Sequence, residues 1–226
     1  MNIMTLNYSD VVKGIIPISN IKGNRLNLIT VQNKFYKIDI LTKMFKNLPE
    51  EVYFHSIRVA NIADILAKVV NDLPEGMDVS VYSYSIWLGC LYHHIGEGVH
   101  ENIGKEQTPN MNMMVLDDNR DKIFEKQYIN PSIVFDIVQN CCERHDKSGY
   151  PNQLQGDSIS LPAPLAGFAD VMDGIFKNKS VSVENKINEW EHFVQEKGEI
   201  LFGSDVIEYY EAARENIYHH LAYRKK

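Results

Sequence analysis

From about residue 50 onward the apolar residues of this chain recur at intervals of three and four, a period that commits it to helices packed against one another. In HSIRVANIADILAKVVNDL, Ile62, Ile65, Leu66, Val69 and Leu73 form one stripe, which Leu73-Pro74 ends. In SVYSYSIWLGCLYHHIG the stripe is Val81, Tyr84, Leu88, Leu91 and Ile95, and Gly96 closes the helix. Asn130-Pro131 reads as an N-cap and a first-turn proline ahead of Ile133, Val134, Ile137, Val138, Cys141 and Cys142 on one face. Further helices are predicted at 163–177 (Leu165, Phe168, Ala169, Met172, Phe176), about 182–197 (Val183, Ile187, Trp190, Val194) and about 205–223 (Val206, Tyr210, Ala213, Ile217, Leu221). Residues 98–120, rich in Asn, Gly and Asp, read as a loop with room for a short helix. Residues 1 to about 35 carry β-like pieces, GIIPIS and NRLNLITV, around the turn NIKGN. The expected fold is all-α: a helical domain over 41–226 behind a small irregular or β-containing extension over 1–40.

Composition narrows the setting. A net charge of −7 argues against a nucleic-acid polymer or an anionic membrane as the main partner. No run of about 18 apolar residues suggests a membrane span. The start MNIMTLNYSD has no basic-then-apolar signal, and three cysteines make no disulfide framework, so a cytoplasmic location is expected.

Metal-type side chains interrupt the apolar stripes. Glu51 and His55, at i and i+4, share a helical face. His93 and His94 end one helix, Cys141 and Cys142 another, and Asp170 and Asp173 lie about one turn apart. Converging helices can gather such groups around one ion. The bland alternative stands beside this: a core-edge histidine is commonly just hydrogen-bonded, and the two cysteines continue an Ile/Val stripe as small buried hydrophobes. Cys90 is expected in the core, and His192, His219 and His220 at the surface.

The order of these pieces is specific. His55-x-x-Arg58-Val59-Ala60, Leu91-Tyr92-His93-His94-Ile95-Gly96, Glu143-Arg144-x-Asp146-x-Ser148-Gly149-Tyr150-Pro151 and Ala169-Asp170-Val171-x-Asp173 together resemble the HD-GYP family, a branch of the HD superfamily, over about 45–215. The resemblance implies an HD-domain-like helical bundle holding two or three metals, usually iron or manganese, and hydrolysis of cyclic di-GMP or a related cyclic dinucleotide. It places Glu51, His55, His93 and Asp170 as metal ligands, with His94 where the family has aspartate. It places Arg144, Asp146, Lys147, Gly149, Tyr150 and Pro151 on the ligand side, and no catalytic residue is assigned.

The departures bear on chemistry. Neutral imidazole has one lone pair and cannot bridge two metals as a carboxylate does. Cys141 and Cys142 replace paired histidines with soft thiolates. The family's middle histidine has no counterpart, because none occurs between His100 and His145. Glu97 stands where the family has lysine; beside a phosphodiester at ~5 Å and an effective dielectric of about 20, that like charge costs on the order of 3 kcal/mol. Lys147, where glycine is common, offers a positive charge nearby.

The leading expectation is therefore a catalytically degenerate module, regulating or binding a protein partner in cyclic-dinucleotide signalling. The alternative is an active metal-dependent cyclic di-GMP phosphodiesterase or nucleotide phosphohydrolase with a rearranged site. There Glu51, His55, His93, His94 and Asp170 would hold a divalent metal such as iron, manganese or zinc. A third reading is a structural zinc or redox site on His93, His94 and the cysteines. Against it, adjacent residues on a helix project about 100° apart.

Overall fold

The structure, a computed structural model, describes residues 47–98, 104–124, 129–178 and 180–223. Every regular element among them is helical, apart from an isolated bridge between Asp146 and Gln155. The expected extension over 1–40, with its β-like pieces, lies outside the described residues. None of the described helices is long and apolar enough to cross a membrane.

The chain runs through α1 (Glu50–Ala67), α2 (Val79–Tyr92), α3 (Thr108–Asp117), α4 (Arg120–Ile123), α5 (Pro131–Asn140), α6 (Pro162–Phe176), α7 (Val183–Phe193), α8 (Glu199–Phe202) and α9 (Ser204–Tyr223). Caps explain several of the starts. Asp78 accepts from Ser80 N–H at 2.8 Å, Asn130 from Ser132 N–H at 3.0 Å and Ser182 from Asn185 N–H at 3.2 Å.

Two expectations change. Helix α2 is enclosed all round from Ser85 to Tyr92 rather than along one stripe: Tyr82, Ile86, Cys90 and Tyr92 are as buried as Leu88 and Leu91, while Val81 and Tyr84, nearer its exposed first turn, are only half-buried. It packs on α1 and α5 and touches α6, so beyond Tyr84 it has no solvent face to pattern. The supposed loop at 98–120 contains α3, started by Pro109 in its first turn and anchored by buried Val115 and Leu116. Helix α3 packs on the turn that follows α2 and on α5.

Elsewhere the stripes are where the period puts them. Val206, Tyr210, Ala213, Ile217 and Leu221 of α9 are all buried, as are Leu165, Phe168, Ala169 and Met172 of α6. Phe168, Trp190, Phe202 and Tyr210 form an edge-to-face cluster, with ring centroids 4.7 Å apart for Phe168–Trp190 and 5.4 Å for Phe168–Phe202. That cluster locks α6 against α7, α8 and α9. It leaves the other side of α6, with Asp170 and Asp173, to face α1.

Candidate metal centre

Three helices deliver the site. Helix α1 contributes His55, the end of α2 contributes His93 and His94, and α6 contributes Asp170. One potential ligand atom from each of the four lies within 4.8 Å of the others. Metal–nitrogen bonds near 2.0–2.1 Å put opposite ligands of one ion roughly 4.2 Å apart, so a small contraction would close the group on one ion.

The hydrogen bonds decide which atoms are available. His93 is buried, and its Nδ1–H donates to the Cys90 carbonyl. Its Nε2 is buried with no hydrogen-bond partner. Burial, with His94 beside it, pushes the His93 pKa far down, so this ring is neutral and its Nε2 carries a bare lone pair. His94 Nδ1–H donates to Glu97 Oε1 at 2.7 Å, which holds the Glu97 carboxyl below its ordinary range.

His55 is held at both nitrogens: Nε2 lies 3.0 Å from Asp170 Oδ1 and Nδ1 2.8 Å from Asp173 Oδ2. Burial alone would discharge this ring, but the two aspartates outweigh it and raise its pKa to about 9. Asp173 is fully buried and receives the Arg58 guanidinium as a fork, Nε at 2.7 Å and Nη2 at 3.0 Å. Burial pushes both aspartates up, yet the His55 hydrogen bonds, with Arg58 for Asp173, hold both below the ordinary carboxylate range.

The donor set fits a divalent ion. Three imidazole nitrogens and one carboxylate suit zinc or iron better than magnesium or calcium. An unsatisfied buried nitrogen costs roughly 1–3 kcal/mol, which a ligand at His93 Nε2 would remove. His55 needs only to release its Nε2 proton; its Nδ1–H would stay on Asp173, the carboxylate–histidine arrangement that orients metal-bound imidazoles.

With metal chelated, His55 gives stability a pH dependence. Its pKa is about 9 folded and 6.5 unfolded. Below about pH 6.5 both states are protonated and the full stabilisation is present; as pH rises the unfolded state discharges first, and the contribution disappears through pH 9. Cys142 and His93 are shifted the other way and titrate with the opposite sign, so the His55 contribution is read as the difference in urea-unfolding stability between wild type and His55→Gln in chelator, which should fall between pH 6 and pH 9 by about 2–3 kcal/mol. A wild-type minus His55→Gln difference that stays flat across that window would contradict the double clamp on His55.

The other expected site residues are placed as follows. Glu51 stands apart from the four, largely exposed, with its carboxylate 3.1 Å from Arg58 Nη2. Arg144 Nη1 donates to the carbonyls of Cys141 (3.0 Å) and Glu143 (2.6 Å), and its guanidinium lies 4.9 Å from the Phe202 ring centre. Asp146 accepts from Ser148 N–H and Oγ–H within its own turn. Lys147 is exposed at φ +69°, a conformation glycine adopts without cost. Gly149 is buried where an added Cβ would lie 2.4 Å from Arg144 N and 2.5 Å from Cys142 O. Tyr150 and Pro151 are half-buried.

Helix α5 ends at Asn140, so Cys141 caps it and Cys142 lies beyond; their sulfurs are 4.0 Å apart, and neither belongs to the four-residue group. Hydrogen bonding with Cys141 and with the Tyr150 hydroxyl draws the Cys142 thiol down to about 7. Cys141 and Cys90 are buried, His192 and His219 are exposed and His220 is half-buried.

Three supporting residues had no role assigned from the sequence. Asp173 was noted only for its spacing. Asn112 of α3 is buried, accepts from Gly96 N–H at 2.7 Å and donates to the His93 carbonyl, pinning the histidine turn. Glu143, buried, accepts from Asn152 N–H (2.6 Å) and Leu154 N–H (2.9 Å) and folds the Gly-Tyr-Pro turn back onto α5. Pro109 could have signalled a helix start ahead of Asn112; nothing local distinguishes Asn112 from its neighbours.

Residues 52–175, more than half of the chain, match the family model described as HD domain. Over 141 residues the chain is 28% identical to the 3'3'-cGAMP-specific phosphodiesterase 1 of Vibrio cholerae serotype O1. The match covers 60% of this chain and 31% of that protein, so the chain spans about a third of the length of the relative it matches.

Proposed function

This chain belongs to the HD-domain family, and on that premise we propose that it is a phosphohydrolase that holds one divalent ion on His55, His93, His94 and Asp170 and acts on a cyclic dinucleotide. The observation that carries the metal reading is the buried, unpartnered Nε2 of neutral His93 within a group of four potential ligands. The substrate class rests on the likeness to a cyclic-dinucleotide phosphodiesterase.

A divalent ion bound there supplies Lewis-acid stabilisation for cleavage of a phosphodiester. The protein does the rest. His93 and His94 offer Nε2 because their Nδ1 protons are committed to Cys90 O and Glu97. Asp173 keeps the His55 Nδ1 proton and fixes the ring plane, while Arg58 keeps Asp173 charged and in place. With His94 at the family's aspartate position, Asp170 is the one carboxylate in the group, which favours a single ion over a bridged pair.

The full chain, incubated separately with Mn²⁺, Fe²⁺ or Zn²⁺, should retain about one ion per molecule and linearise 3'3'-cGAMP or cyclic di-GMP. His93→Ala should lower metal affinity by more than the roughly 10–100-fold typical of losing an outer-shell partner. Absence of retained metal would end this reading. Metal retention with dinucleotide binding but no turnover would favour the second one, a regulatory module that binds without cleaving. What supports that second reading is Glu97, which adds a carboxylate beside the cluster where a phosphodiester would approach.

A further inference from the structure

We propose that Glu97 is a positioning residue that makes His94 a usable nitrogen ligand and so gives this centre its three-imidazole character. The inference deepens the metal reading above and rests on it. Its basis is a pattern shared by all three rings. His55 has Nδ1 on Asp173, His93 has Nδ1 on the Cys90 carbonyl, and His94 has Nδ1 on Glu97.

An imidazole carries one N–H and one lone pair, and which nitrogen holds which is set by the acceptor the N–H finds. In each of the three rings an oxygen claims the Nδ1 proton; that leaves Nε2 open on His93 and His94, and on His55 it leaves the Nε2 that lies 3.0 Å from Asp170 Oδ1 and becomes a ligand once deprotonated. For His55 and His93 that oxygen is a buried carboxylate or a main-chain carbonyl, built into α1–α6 packing or into α2 itself. For His94 it is a side chain from the next turn, Ile95–Gly98.

That turn is held for the purpose. Glu97 N–H donates to the His94 carbonyl at 3.0 Å, and Gly96 N–H donates to the buried Asn112 side chain. A Cβ on Gly96 would lie 2.7 Å from Met111 Cγ and 2.9 Å from Asn112 Oδ1, so α3 presses directly on the turn. Glu97 thus has a fixed backbone three residues from the ring it holds. Without its carboxylate, the His94 proton is free to sit on Nε2, and the site keeps two dependable nitrogen ligands instead of three. A carboxylate acceptor also raises the basicity of the imidazole it holds.

The test uses the metal-free full chain titrated with Zn²⁺ and with Co²⁺, read by calorimetry and by the visible cobalt spectrum. Glu97→Ala should lower affinity about 10–100-fold and weaken the cobalt bands, with an unchanged melting temperature of the metal-free protein. Glu97→Gln, whose amide oxygen still accepts the Nδ1 proton, should retain most of the affinity. In a His94→Asp background, Glu97→Ala should have no further effect, because no imidazole remains to be oriented. Equal affinity in wild type and Glu97→Ala would overturn the proposal, as would a loss that persists with Asp at position 94. If wild type binds neither ion, the metal reading itself fails, and two-bond proton–nitrogen NMR still decides the point about Glu97. The His94 ring should carry its proton on Nδ1 in wild type and lose that preference in Glu97→Ala; a proton on Nε2 in wild type would overturn it.

Discussion

Replacing Asp173 by alanine is expected to lower the unfolding free energy of the metal-free protein by about 3–5 kcal/mol. Asp173 is fully buried and receives three charged donors: His55 Nδ1, Arg58 Nε and Arg58 Nη2. Removing it leaves a mostly buried guanidinium with only the exposed Glu51 as charge partner, and a histidine whose pKa of about 9 depends on the missing carboxylate. That is the costly direction of breaking a buried ion pair, because the partners' charges stay behind while their compensation goes. Metal affinity should fall as well, since His55 loses the group that fixes its ring. Asp173→Asn keeps the shape and one acceptor, so it should fall between. Urea unfolding in chelator, with zinc titration alongside, measures both effects; a change of less than about 1 kcal/mol for the alanine variant would show that Arg58 and His55 find new partners.

Gly167→Ala should cost about 3 kcal/mol, at the top of the usual range for overpacking. Helix α6 crosses the end of α5 so closely that a Cβ at 167 would sit 2.3 Å from the Cys141 carbonyl oxygen and 3.1 Å from Arg144 Nη1. The first obstacle is main chain at a helix C-cap, and Arg144 also donates to that oxygen, so neither yields easily. Relief requires α6 to shift outward, carrying Asp170 and Asp173 with it. The same variant should therefore weaken metal binding although position 167 touches no ligand. Gly174→Ala is the control: on the same helix, nothing lies within 4 Å of its added Cβ, and gaining helix propensity should leave stability equal or up to about 1 kcal/mol higher. Equal stabilities for the two variants would show that the α5–α6 crossing is looser than the structure has it.

How far the sequence carries can be judged element by element. Helix α9 is legible to within one residue, because it packs on the bundle with one face and its five-residue apolar stripe meets the period of 3.6. Helix α2 was located but its burial was misjudged, since neighbours on several sides erase the polar face that a stripe needs. Helix α3 is legible only as room for a short helix within a loop: its Asn- and Met-rich turns carry weak propensity, and what stabilises it is contact with the histidine turn and with α5. Of the site, His55, His93, His94 and Asp170 are picked out by the resemblance to the HD-GYP family, and the structure brings those four together. Glu51 was named with them, but its helical spacing could not say that Arg58 would hold its carboxylate outside the group.

The sequence by itself determined that this chain forms an all-α bundle and which side chains are candidates to meet a metal. Periodicity and ligand type are local properties, readable one residue at a time. Only the tertiary structure decided the protonation pattern: that His93 and His94 keep Nδ1 on an oxygen and leave Nε2 open, that His55 is clamped between two aspartates, and that Glu97 serves His94. The physical reason is that a proton's position depends on the nearest acceptor and on burial. For His55 that acceptor lies 118 residues away in sequence and 2.8 Å away in space.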